Sequence, residues 1–179
     1  MPVKKVLIYP KDEAALREKS VEVTRVDKAT KRLIRDLKDT LLTQPGAGLA
    51  APQIGVHKRV VVVRFGQDEG EMQDPVALIN PVILEAGESA KGFDGCLSLP
   101  GIVTWDTLRP TWMRLEALNE QGEKFEMRVE GIDSILVHHE IDHLDGVLFL
   151  DRVEDKNELY MRVKNGDEEK LVRMSQFGL

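Results

Sequence analysis

Apolar residues recur along this chain at two spacings, and each spacing predicts an element. Beyond Asp27, the residues Ala29, Leu33, Ile34, Leu37 and Leu41 fall on one helical stripe, with Asp27 placed to cap the helix and Pro45-Gly46 to stop it. Val60 to Val63 is an unbroken β-branched run, the composition of a well-buried strand. Ala77 to Leu84 reads as a second strand, in which Pro81 requires a sheet edge or a bulge. Arg114 to Leu118 and Lys124 to Val129 alternate apolar and polar residues around Asn119-Glu120-Gln121-Gly122, the pattern of a β-hairpin. The period then changes. Ile132, Ile135, Leu136, His139 and His143 lie at i, i+3, i+4, i+7 and i+11, one helix face, expected to point into the core, with Gly146 beyond it as a C-terminal cap. Upstream, Val3 to Tyr9 reads as extended and breaks at Pro10. The charge-rich C-terminal stretch, with apolar anchors at Leu159, Met161, Val163, Leu171, Val172 and Met174, fits helix or strand equally.

Composition narrows the class. The chain's 179 residues, 42% hydrophobic, suffice for one core, and without a repeat or linker the expectation is a single domain over residues 1–179. Twenty-five Lys and Arg against 31 Asp and Glu give a formal charge of −6, which disfavours nucleic-acid binding through a basic face. The single cysteine, Cys96, excludes an intrachain disulfide and suits a reducing compartment. Val6-Leu7-Ile8 is too short for a secretory core, and no apolar run approaches the ~20 residues of a membrane span. A soluble cytoplasmic protein with no membrane partner is the expectation.

His139-Glu140-Ile141-Asp142-His143 is a HExxH pattern on the expected helix, where i and i+4 place both imidazoles within reach of one ion. Glu140 would then sit beside the metal, the position of a general base. A chance ending of an apolar stripe is the plainer alternative. Two histidines leave a metal under-coordinated, and the chain's other histidines, His57 and His138, are both upstream. His138 is rotated about 100° from His139 and is expected behind the ligands or at the surface; His57 reads as a solvated loop residue. A lone cysteine is more readily a small buried hydrophobe. Even so, Cys96, within Gly95-Cys96-Leu97-Ser98 and between the turn formers Gly92 and Pro100, is the best third ligand, and three ligands with an open position make a site catalytic in type. Gly46 to Gly55 lacks the Lys-Ser/Thr ending of a phosphate loop; its small residues suggest a backbone left bare for another chain to approach, with Gln53 as a polar tip.

Three segments together resemble the peptide deformylase family: Gly46 to Gln53 (GxGLAAxQ), Asp94 to Ser98 (EGCLS) and His138 to Gly146 (QHExDHLxG), in the family's order, within a likeness spanning roughly residues 3 to 151. Asp94 stands where the family usually has Glu, and His138 where Gln is usual. The first departure shortens a carboxylate expected to support the cysteine loop. Ile102 to Arg109, with Trp105, matches poorly.

The resemblance implies an α+β fold, with antiparallel strands packed around a central HExxH-bearing helix. It also implies a metal-dependent amidase that removes formate from the N-formylmethionine of nascent polypeptides. Cys96, His139 and His143 would hold one divalent ion, Fe²⁺ foremost with Zn²⁺ or Ni²⁺ as substitutes, and Glu140 would be the base. Gln53 and the Leu97 backbone amide would meet the oxyanion. The substrate is expected to lie as an added strand along Ala47 and Gly48 and near Gly95, with its methionine among Ile132, Ile135 and Leu136. The implied partners are formylmethionyl nascent chains, with transient ribosome contact. Two other classes compete. A zincin-type endopeptidase would take a downstream carboxylate, Glu158 or Glu168, as third ligand, and a non-catalytic relative would bind peptide without turnover.

Overall fold

The computed structural model describes residues 3–66, 72–165 and 168–177. Its described residues form two antiparallel sheets. Strands β1 (Gly48–Ala50), β2 (Val60–Val63), β3 (Val76–Ala86), β6 (Trp112–Leu118) and β7 (Lys124–Glu130) pair in the order β1-β2-β3-β6-β7. Strands β4 (Ser89–Cys96), β5 (Leu99–Pro110), β8 (Leu159–Asn165) and β9 (Glu168–Arg173) pair as β4-β5-β8-β9. The helices are α1 (Glu13–Leu16), α2 (Lys28–Leu41) and α3 (Gly131–Leu144). The architecture mixes α and β with antiparallel sheets, as the α+β expectation requires.

The four valines of β2 are apolar without interruption because both faces of their strand are covered. Val60 and Val62 pack with Leu33, Ile34, Leu37 and Leu41 of α2, whereas Val61 and Val63 pack with Val137, Ile141 and Leu144 of α3. The side chain of Asp27 accepts from the Thr30 amide at 2.9 Å, capping α2 as its sequence predicts. Pro81 does not mark an edge, since β3 is an interior strand. The register slips between Ile79 and Val82, and Asn80, at φ 49°, uses its side-chain amide to bond both the N–H and the C=O of Val23. The hairpin turn is tied by Asn119 Oδ1, which accepts from the Gln121 and Glu123 amides, both at 2.9 Å. Gly146 ends α3 at φ +72°, where a Cβ would lie 2.1 Å from the Arg17 carbonyl oxygen; only glycine serves both the left-handed turn and the close approach.

Several expectations change. The stripe of Ile132, Ile135 and Leu136 points only in part into the core: all three are half-buried along a cleft, Leu136 also packs against the core, and the buried apolar side of α3 is Val137, Ile141 and Leu144. His57 is not a solvated loop residue, because its half-buried ring bonds the Ala15 carbonyl at 2.8 Å through Nε2. The C-terminal stretch resolves to strands, β8 and β9. Cys96 ends a strand rather than sitting in a loop, and β5 runs through the segment that matched poorly.

Candidate active site

β1 and β4 each form one edge of their sheet, and a cavity of about 450 Å³ opens between them. Along its walls lie Gly46 to Gly48, Phe93 to Leu97, Ile102, Val103, Ile132, Ile135 and Leu136, with Gln53, His139 and Glu140 at the polar end. All the residues singled out from sequence for substrate contact, Ala47, Gly48, Gly95, Ile132, Ile135 and Leu136, therefore border one cavity. Each open strand edge leaves backbone groups free for an added strand.

Cys96 Sγ, His139 and His143 form a group whose donor atoms all lie within 4.8 Å of one another. His143 Nε2 is 3.2 Å from the sulfur and 3.2 Å from His139 Nε2. One helical turn of α3 supplies the two rings, and the end of β4 supplies the thiol. Glu158, by contrast, accepts from Tyr160 Oη at 2.7 Å and pairs with Arg173 at 3.0 Å, which removes the support for a zincin-type third ligand there. The Glu168 side chain lies outside the described residues.

The His139 ring is held from behind. Its Nδ1 donates to Asp94 Oδ1 at 2.7 Å, which leaves Nε2 facing the group. Asp94 Oδ2 accepts from Arg109 Nε at 2.6 Å, so Asp94 braces a histidine, not the cysteine turn as expected from sequence. The turn is instead held by Gln53 and Ser98. Gln53 is buried, not a polar tip: its Oε1 accepts from the Ala50 amide at 2.8 Å, which fixes Nε2 toward Ser98 Oγ at 3.1 Å and the sulfur at 3.5 Å. The Leu97 amide lies in the two-residue turn joining β4 to β5. His138 lies behind the ligands, accepting from Arg109 Nη1 at 2.7 Å through Nδ1. Burial, with that guanidinium, pushes it down to about 4 despite Asp142, so its ring is neutral.

Sequence reasoning missed the centre of this network. Arg109 is the largest fully buried side chain; besides Asp94 and His138 it bonds Asp142 Oδ2 at 2.9 Å, and Arg152 holds the same carboxylate from the other side. The available signal was two acids beside an expected core helix, which demand a cation, though nothing in the spacing names which one.

The electrostatics fit a divalent cation. Burial disfavours the Cys96 thiolate, yet His143 and His139 outweigh it and bring the thiol down to about 5. Burial likewise opposes charge on His139, but Asp94 outweighs it and raises its proton affinity well above the ordinary imidazole value. Burial, helped by the neighbouring Cys96 and Asp94 charges, pushes Glu140 up to about 7 against His139 and His143. A thiolate with two imidazoles is a donor set suited to zinc or ferrous iron. Glu140 Oε2 and His143 Nδ1 are buried with no hydrogen-bond partner among the described residues, which leaves the Glu140 oxygen free to take a proton.

Gly48 explains how Glu140 fits. A Cβ at that position would lie 2.3 Å from Glu140 Oε1, so its bareness serves the carboxylate before any approaching chain. Gly48→Ala should displace Glu140 while sparing the Cys/His/His group. The expected outcome is a kcat loss of about 10²-fold with unchanged metal content, measured by steady-state assay and metal analysis.

The chain matches the polypeptide deformylase family over residues 3–158. It is 42% identical over 153 residues to peptide deformylase 1 of Bacillus subtilis, covering 86% of this chain and 91% of that one. It is 41% identical over 176 residues to the peptide deformylase of Alkalilimnicola ehrlichii, covering 98% and 94%. Among solved structures, that of the peptide deformylase from Thermotoga maritima superposes with a TM-score of 0.78 at 33% identity, covering 87% of this chain and all (100%) of the other.

Proposed function

The chain belongs to the polypeptide deformylase family, hydrolases acting on N-formylmethionine, and on that premise we propose how its own residues carry the reaction. Cys96, His139 and His143 hold one divalent ion, foremost Fe²⁺ with Zn²⁺ or Ni²⁺ as substitutes. A divalent ion held there supplies Lewis acidity toward water and toward the formyl carbonyl oxygen. Glu140 accepts a proton from the attacking water and returns it to the departing amine nitrogen, whereupon formate leaves. Gln53 Nε2, oriented by the Ala50 amide, and the Leu97 N–H donate to the carbonyl oxygen as it gains charge. Asp94 keeps the His139 Nδ1 proton in place, so that Nε2 remains the donor to the ion.

The substrate backbone lies as an added strand between the β1 and β4 edges, past Ala47, Gly48 and Gly95. Its methionine enters the apolar end of the cleft beside Ile132, Ile135 and Leu136. The HExxH-bearing helix α3 is the central element of a single catalytic domain, packed against β1, β2, β6 and β7 of one sheet and β5 of the other. The protein works in the cytoplasm on nascent chains, with transient ribosome contact; no helix among the described residues is long and apolar enough to cross a membrane.

The observation that carries this reading is the convergence of Cys96 Sγ with both imidazoles of α3 beside the buried Glu140. Cys96→Ser tests it. The variant should lose bound metal and formate release together, as read by elemental analysis and a formate assay. Retention of a full equivalent of metal would overturn the ligand assignment.

A further inference from the structure

The cleft does not end at its apolar lining. It runs onto the exposed face of the β4-β5-β8-β9 sheet, which carries three aromatic rings in contact. Phe93 and Trp105 are 5.3 Å apart between centroids, and Trp105 and Tyr160 are 6.0 Å apart, edge to face. Phe93 is 42% exposed, Trp105 49% and Leu171 47%, a density of open apolar surface that a solvated sheet face rarely keeps without a partner. The pairing explains the clustering. Val103 opposes Tyr160 and Arg162 opposes Leu171, so Trp105, Tyr160, Arg162 and Leu171 all lie on the Val103 side of the sheet. Two of these residues connect the face to the site, because Phe93 and Arg162 also line the cleft. Arg162 is the one guanidinium among the described lining residues. Its ion pair with Glu169, at 3.5 Å between two half-exposed side chains, is weak enough to open for another carboxylate.

We propose that this sheet face is a second binding platform for the substrate polypeptide, taking residues beyond those held in the cleft and favouring apolar or aromatic side chains followed by an acidic one. The inference rests on the deformylase reading, since the occupant is the downstream part of the same formylated chain. Continuity with the cleft through Phe93 commits the face to that occupant. A polypeptide leaving the cleft in extended form at ~3.3 Å per residue passes over the rings within a few residues. Burial of one apolar side chain against Phe93 and Trp105 is expected to be worth roughly tenfold in affinity.

The test compares formyl-Met-Ala-Ser with a formyl hexapeptide of the same first three residues, continued by leucine, phenylalanine and aspartate, on metal-loaded enzyme. The ratio of kcat/KM, long over short, should be about tenfold in the wild type, through KM. It should fall to near unity in Trp105→Ala. In Arg162→Glu, exchanging the peptide's aspartate for lysine should reverse the preference. A wild-type ratio of one, or a ratio kept in Trp105→Ala, would overturn the platform. A binding measurement separates this from failure of the deformylase reading. In a Trp112→Phe background, which leaves Trp105 as the sole indole, the unformylated hexapeptide should change Trp105 fluorescence saturably and Met-Ala-Ser should not. No saturable change would overturn the platform whatever the turnover; a saturable change without formate release would overturn the deformylase reading alone.

Discussion

Glu140→Gln should leave the fold and the metal content intact and lower formate release by 10²- to 10⁴-fold, the usual worth of a general base. The side chain is buried beside the ligand group, and its free Oε2 has no competing partner among the described residues. An amide fills the same space and cannot take a proton. The substitution also makes a stability prediction of opposite sign. Burial holds Glu140 up at about 7, so in metal-free protein the ionised form is disfavoured and stability declines as pH rises from the ordinary carboxylate range through 7. Glutamine removes that charge. The metal-free variant should therefore unfold no lower than wild type at pH 8, by thermal denaturation. Turnover above about a tenth of wild type, or loss of metal, would contradict the assignment of Glu140 as the base.

Arg109→Met should have the largest effect on stability. The guanidinium, 1% exposed, compensates both Asp94 and Asp142. Truncating one partner of a buried ion pair typically costs about 3–5 kcal/mol, because the other charge stays buried without compensation. Acid titration identifies the cause. In the wild type, burial is overcome by His139 and Arg109, and the Asp94 carboxyl is held down at about 2 from an ordinary 3.8; Asp142 is lowered too, burial being outweighed by Arg152 and Arg109. For carboxylates with a depressed folded value, the stabilisation is complete above about 4 and is lost as pH falls toward 2. Arg109→Met should shrink that acid-dependent loss as well as the total, measured by urea unfolding at pH 5 and at pH 2.5. Arg109→Lys returns the charge without the planar fork and should recover part of the stability. Equal urea midpoints for wild type and Arg109→Met at pH 5 would show that the network does not hold the site together.

The parts of this molecule that the sequence makes legible are those where one local rule acts alone. The α2 stripe and its Asp27 cap, the valine strand, the Asn119 to Gly122 hairpin and the HExxH spacing each follow from period, capping or turn chemistry within a few residues. Strands β4 and β5 escape that reading because Ser89 to Cys96 contains two glycines, and Leu99 to Pro110 begins and ends near prolines; long-range pairing, not propensity, makes them strands. The direction of the Ile132, Ile135 and Leu136 face is only half legible for a related reason. A helix flanked by two sheets has apolar residues on more than one side, and periodicity alone does not say which side opens onto a cavity. Arg109 was invisible because its three main partners come from β4 and α3, 15 to 33 residues away in sequence. The roles of Gln53 and Gly48 were half legible. Their residue types signalled polarity and close approach, but only the folded chain says that the first turns its amide toward Cys96 and the second makes room for Glu140.

The most direct measurement is to incubate metal-loaded protein with formyl-Met-Ala-Ser and analyse every product by mass spectrometry alongside a formate assay. The account predicts one formate per peptide consumed, with Met-Ala-Ser recovered whole, and loss of both products in Cys96→Ser. Scission of the Met-Ala or Ala-Ser bond, or full formate release from a metal-free Cys96→Ser variant, would contradict it.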